Sequence, residues 1–206
     1  MKQNQIPSLE VAEKMLAEGE KLNPGPWVGH SLYTASAAKA IATHHPDLDP
    51  EVATILGLLH DIGRRAGKAE MRHIIDGYNF LHQQGFEDAA QICLTHSFPK
   101  KNVRVASAKW DCSEAEFRFV VDYLSTVEYS TYDALIQLCD CLTLPAGYCL
   151  LEKRFVDVAL RYGTNEHTLE KWKAYFELRD RFSREIGKSI YAALPGVVEN
   201  TFGFEL

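Results

Sequence analysis

Apolar residues recur along almost the whole chain at the three-and-four spacing of helix faces, and the strict alternation of a half-buried strand is absent. Ser8 caps a first predicted helix with Leu9, Ala12, Leu16 and Ala17 turned inward, and Pro24 and Pro26 close it. An alanine-rich helix follows over about residues 27–44 and stops before Pro46. Asp49 caps a third helix that opens on Pro50, at a position where the missing N–H would have no partner anyway, and runs to Leu59. Helices over about 71–84 and 87–96 are separated by Gly85, and Ser113 with Glu116 forms a capping box for a helix to about Leu124. Further helices run from Thr131 to Leu142 and over about 148–162 and 167–193, the last with Trp172, Phe176 and Leu178 near helical spacing. The stretch 97–111 reads as the longest irregular segment. With no internal repeat and no linker-like shift in composition, the expectation is all-α: a single globular helical bundle over residues 1–206, with about eight or nine helices.

Composition narrows the class without naming a chemistry. At 206 residues the chain can bury a core without disulfide or metal staples, so a bound metal is expected to serve function rather than folding. Twenty-two basic against 28 acidic side chains leave a formal charge of −6, which argues against a nucleic-acid polymer or a membrane surface as partner. Cys93, Cys112, Cys139, Cys141 and Cys149 contain no C-x-x-C pair and read as small buried hydrophobes in a reducing compartment. The opening decapeptide is polar and lacks the apolar stretch of a signal peptide. The most apolar region, 135–151, is interrupted by Gln137, Asp140 and Pro145, too short and too broken to span a membrane. A soluble, cytoplasmic protein is the expectation.

Candidate chemistry sits where apolar segments are interrupted. His30, the doublet His60-Asp61, His96 and Asp140 lie on or at the ends of predicted helices that are otherwise apolar. A buried carboxylate stays charged only beside a partner or a cation, and imidazole with carboxylate suits iron, manganese, zinc, cobalt or nickel. Adjacent His60 and Asp61 can both approach one ion if Gly63 releases the helix there. Taken singly, each residue is explained as well by an ordinary core hydrogen bond. The motifs W-V-G-H-S-L-Y around His30, L-G-L-L-H-D-I-G-R around His60 and Asp61, and L-I-Q-L-C-D-C-L around Asp140 together resemble the HD-domain superfamily of metal-dependent phosphohydrolases, over about residues 27–145.

The resemblance implies an α-helical fold with a divalent transition metal held by His30, His60, Asp61 and Asp140. Some members of the superfamily hold a second metal through two further histidines. His73, four residues before Gly77, and His96 fall in the matching interval, either as ligands of a second ion or as contacts to substrate phosphate. The implied reaction is hydrolysis of a phosphomonoester or a nucleotide by a metal-activated water, with Asp61, His73 and His96 as the catalytic candidates. Among Arg64, Arg65, Lys68, Arg72, Lys100, Lys101 and Arg104, the first choices for binding the phosphate of a small substrate are Arg64 and Lys68. Two alternatives stay open: a binuclear iron oxygenase of the same superfamily, and a non-catalytic helical sensor or interaction module.

The remaining histidines, His44, His45, His82 and His167, fall near helix ends and read as structural or exposed. Gly63, Gly67 and Lys68 fall one residue short of a phosphate loop, and Ala69 stands where that loop needs Ser or Thr. Neither G-x-S-x-G nor H-E-x-x-H occurs. The extension 146–206 lies beyond the resemblance and is expected to form a wall of the substrate pocket or the face of a homodimer, with Trp172, Tyr175, Phe176 and Phe182 packing in the core.

Overall fold

A computed structural model of the chain describes residues 5–204, so the start of the polar decapeptide and the last two residues of the expected domain lie outside the described residues. Among these, ten α-helices form: α1 Leu9–Leu22, α2 Pro26–Ala42, α3 Pro50–Leu59, α4 Arg72–His82, α5 Glu87–Thr95, α6 Glu114–Thr126, α7 Thr131–Cys141, α8 Leu151–Tyr162, α9 Thr168–Glu185 and α10 Val197–Phe202. Short 3-10 turns occur at Ile62–Ala66, Val103–Val105 and Ile190–Ala193, and one hairpin pairs β1 Thr143–Leu144 with β2 Gly147–Tyr148 around Pro145. The fold is all-α, as its periodicity predicts.

Local chemistry starts most of these helices. The Ser8 hydroxyl accepts from the Val11 N–H, and the Asp49 carboxylate accepts from the Glu51 and Val52 N–H groups. Full capping boxes form at Ser113 with Glu116 and at Ser130 with Asp133. α4 has no cap of its own. Asp111, at the end of the irregular stretch, reaches across and accepts from the backbone N–H groups of Glu70 and Arg72 at 2.8 and 2.7 Å. A carboxylate there satisfies orphan donors and faces the positive end of the helix.

α2 packs closely on α3 where Gly57 meets Ala35: a Cβ on Gly57 would lie 2.5 Å from Ala35 Cα. α7 lies against both, and Leu56, Leu59, Leu135 and Leu138 are at most 1% exposed in the core between them. A smaller apolar cluster, with Ile74, Leu94, Phe98, Val120 and Leu124, joins α4, α5 and α6. The extension 146–206 packs on the larger core through Tyr175 and Phe182, while Phe155 stacks on Trp172 with ring centroids 5.1 Å apart. Phe176 packs there half-buried, so all four aromatics expected to pack do so.

Two details differ from the expected pattern. Ala17 is exposed, and Met15 takes the inward position. The last predicted helix also stops at Glu185, because Gly187 turns the chain with a φ of +71°. The 3-10 turn and α10 occupy the remainder. Among the described residues, no helix is long and apolar enough to cross a membrane.

Candidate metal centre

Six elements bring the candidate ligands together. His30 lies in α2, His60 directly follows α3, Asp61 opens the 3-10 turn, His73 lies in the first turn of α4, His96 follows α5, and Asp140 is near the end of α7. The five histidine and aspartate side chains other than Asp140 are at most 7% exposed, and Asp140 is half-buried. Gly63 does not release the helix, contrary to the sequence expectation, since α3 already ends at Leu59. It serves close approach instead. A Cβ on Gly63 would lie 1.9 Å from the His73 carbonyl oxygen and 2.4 Å from the Gly77 nitrogen, so two glycines in contact let the turn settle on α4. That approach sets His73 against Asp61.

Hydrogen bonds on the far side of each ring decide which nitrogen faces inward. His60 Nδ1–H donates to the Gly57 carbonyl at 2.8 Å, His96 Nδ1–H to the Ile92 carbonyl at 3.2 Å, and His73 Nδ1–H to the Glu70 carbonyl. A carbonyl only accepts, so each of these rings carries a proton on Nδ1 and turns Nε2 to the interior. His30 Nδ1 lies 3.3 Å from the Thr143 hydroxyl, which itself donates to the Cys139 carbonyl at 3.1 Å and so can accept from the ring.

The inward atoms therefore meet at short range, His30 Nε2 within hydrogen-bond distance of Asp140. His30 Nε2 is 2.8 Å and His60 Nε2 3.9 Å from Asp140 Oδ1. His73 Nε2 is 3.1 Å and His96 Nε2 3.7 Å from Asp61 Oδ1, and the two nitrogens are 3.5 Å apart. His60 Nε2 and Asp61 Oδ1 are buried without a properly aligned hydrogen bond among the described residues. Burial lowers the pKa of His60, and burial with the neighbouring His60 pulls His96 down to about 3, so both rings are neutral near pH 7. Burial alone would raise the Asp61 pKa, but Arg64 and His73 outweigh it and hold the carboxyl well below the ordinary range. His30 does the same for Asp140 against its burial.

Converging neutral nitrogens and ionised oxygens in a buried space are what a divalent cation needs. Two groups satisfy this, His30 with His60 and Asp61, and Asp61 with His73 and His96; within each, the ligand atoms lie within 4.8 Å of one another. Asp61 belongs to both.

A cavity of about 780 Å³ opens onto this floor. Arg64 lines it, but its Nε donates to Asp61 Oδ2 at 2.5 Å and its Nη1 to the Ala69 carbonyl. Lys68 lines it from the exposed loop and has no ion pair among the described residues. The other basic candidates lie elsewhere: Arg65 over the Phe80 ring, Arg72 with Asp76 and Glu116, Lys100 with Glu177, Lys101 over Tyr129, and Arg104 beside a separate small pocket. Arg154 of α8 and Lys171 of α9 line the cavity and went unnoticed in the sequence, because only the packing of the extension against α7 brings them there.

The four histidines read as structural stay outside the cluster. His45 is buried against Glu185, His44 meets Lys188, His82 pairs with Glu87, and His167 lies near Glu166 and Glu170. All five cysteines are free thiols; four are buried, and burial raises their pKa.

No curated protein and no solved structure matches the chain. The family model of the HD domain matches residues 27–144. Because that match runs from before His30 to beyond Asp140 and covers more than half of the sequence, the chain belongs to the HD-domain family, within the superfamily of metal-dependent phosphohydrolases.

Proposed function

We propose that this protein is a metal-dependent phosphohydrolase acting on a small phosphomonoester or a nucleotide. The observation that carries the reading is the sharing of Asp61 between two buried ligand groups beneath one cavity. One cation would be held by His30, His60, Asp61 and Asp140, and a second by Asp61, His73 and His96. A divalent cation there supplies Lewis acidity toward a phosphoryl oxygen and lowers the pKa of bound water from about 15.7 toward about 7.

The chain's own residues do the positioning. Carbonyls of Gly57, Glu70 and Ile92 hold three imidazoles with Nε2 turned inward, and the neutral His60 and His96 rings need lose no proton before a metal binds. Arg64 occupies Asp61 Oδ2 and leaves Oδ1 for the interior. Lys68 brings positive charge to the cavity, where a phosphoryl group gathering negative charge in its transition state is stabilised. A concave cavity in an acidic chain suits a small phosphorylated molecule better than a nucleic-acid polymer. High-pKa buried thiols suit a reducing, cytoplasmic setting.

Elemental analysis of protein purified without added metal or chelator, beside Asp61→Ala, tests the reading. About two ions per chain, both lost in the variant, are expected on the sharing of Asp61, together with turnover in a screen of phosphomonoesters and nucleotides. One ion would leave His73 and His96 to the phosphate. Iron accompanied by oxygen uptake would replace hydrolysis with oxygenase chemistry. No metal after reconstitution with manganese, iron, zinc, cobalt and nickel would end the assignment.

A further inference from the structure

The part of the cavity wall built by residues beyond the family match carries donors that make no hydrogen bond among the described residues. Arg154 on α8 is only 17% exposed, and its guanidinium lies 4.0 Å from Asp140 Oδ1 and 3.5 Å from Asp157 Oδ2, without a hydrogen bond among the described residues. Asp157 is already engaged at 2.8 Å by Arg161. Lys171 on α9 is half-buried in the same wall, and its ammonium has neither ion pair nor hydrogen bond among the described residues. Tyr175, one helical turn further, is 3% exposed and lines the cavity, again with no hydrogen bond for its hydroxyl among the described residues.

Donors in such a wall ordinarily find partners in the protein, in water or in a ligand, and no hydrogen bond within the described residues takes these. Burial lowers the pKa of Lys171, and Asp140 nearby only partly offsets it. Here a fork of guanidinium donors, an ammonium and a phenol all face one cavity, beside the Asp140 end of the candidate metal centre. Their natural complement is an anion with several oxygens and more than one charge. Arg64 fits this task less well, since Asp61 and the Ala69 carbonyl already take its donors.

We propose that Arg154, Lys171 and Tyr175 form an anion subsite that takes the phosphate dianion of a monoester and seats it next to Asp140. Two cations match the two charges of a monoester. A phosphodiester brings a single charge and a substituent on an oxygen that the subsite needs bare. The extension would then set substrate class, while residues 27–144 hold the metal. The proposal rests on the hydrolase reading only in calling this anion a substrate.

The test is calorimetric titration of the full-length, metal-reconstituted protein with inorganic phosphate, with metal content measured on the same samples. Lys171→Met is expected to weaken phosphate binding by at least about tenfold, the scale of a charge-assisted hydrogen bond. Lys171→Arg is expected to recover most of that loss. Lys173→Met, an exposed lysine on the same helix, is expected to bind like wild type. If Lys171→Met does not fold, Tyr175→Phe removes one hydroxyl and is expected to weaken binding about threefold to tenfold.

Folded Lys171→Met or Tyr175→Phe that binds phosphate like wild type overturns the subsite. So does a Lys173→Met loss as large as that of Lys171→Met, or dimethyl phosphate binding as tightly as inorganic phosphate. Wild type that loads metal but binds no phosphate overturns the subsite and leaves the hydrolase reading standing. The expected phosphate series in protein that loads no metal supports the subsite and overturns the hydrolase reading instead.

Discussion

Thr143 shows how much of the candidate centre depends on residues that are not ligands. Its side chain is completely buried, and its hydroxyl sits between Thr34 at 2.8 Å, the Cys139 carbonyl at 3.1 Å and His30 Nδ1 at 3.3 Å. It is the group that keeps the His30 ring turned with Nε2 inward. Thr143→Val preserves shape and removes the acceptor, so metal affinity is expected to fall by about 10–100-fold, the usual consequence of losing such a partner. Competition with a fluorescent chelator measures this. Unchanged affinity would mean that Asp140 alone orients His30. Neither Thr143 nor the Arg64–Asp61 pair announces itself in the sequence, since a threonine two residues beyond a helix and an arginine in a loop are ordinary features. The ligands are more legible, because each is a polar interruption of an apolar run that has no other evident use.

Between elements, the decisive contact is that of the Ile62–Ala66 turn with α4. Gly63→Ala places a methyl group on the His73 and Gly77 backbone, which cannot rotate away as a side chain can. The loss of stability is expected to be about 3 kcal/mol, at the upper end for overpacking, read from urea unfolding of the metal-free protein. A variant as stable as wild type would show that α4 can shift, and then His73 should part from Asp61 and the second ligand group should open. Element positions themselves follow closely from sequence punctuation: Ser8, Asp49, Ser113 and the prolines act within a few residues of where they stand. The contacts that the sequence does not reveal have the opposite character. Gly63 acts on a helix ten residues away, Asp111 caps a helix from the far side of a loop, and Arg154 and Lys171 reach the cavity only after α8 and α9 dock. Local patterns carry no record of such long-range contacts.

For the molecule as a whole, the cost of assembling the centre without a cation should appear as acid sensitivity. The folded-state pKa of His96 is about 3, against an ordinary value of 6.5, and that of His60 is also lowered. Between pH 6.5 and 3 the unfolded chain therefore takes up a proton at His96 that the native state refuses. The unfolded state binds more protons, so stability is greatest above pH 6.5 and falls as pH falls. From pH 7.5 to 5.5 the His96 contribution amounts to a loss on the order of 1 kcal/mol, and His60 acts in the same direction. Asp61 and Asp140, whose folded pKa values lie below the ordinary 3.8, add losses of the same sign only below about pH 4. The interval from pH 6.5 to 4 thus belongs to the two histidines among these four groups. Urea unfolding of chelator-treated protein at pH 7.5 and 5.5 measures the difference, and a flat profile would mean that these rings accept protons in the folded state. Saturating metal should raise stability at pH 7.5 by about 2.7 kcal/mol at a hundredfold excess over Kd. It should also steepen the fall toward pH 5.5, because protons and metal then compete for the same Nε2 atoms. A metal effect that does not weaken on acidification would place the ion away from these histidines, even if the chain still bound one per molecule.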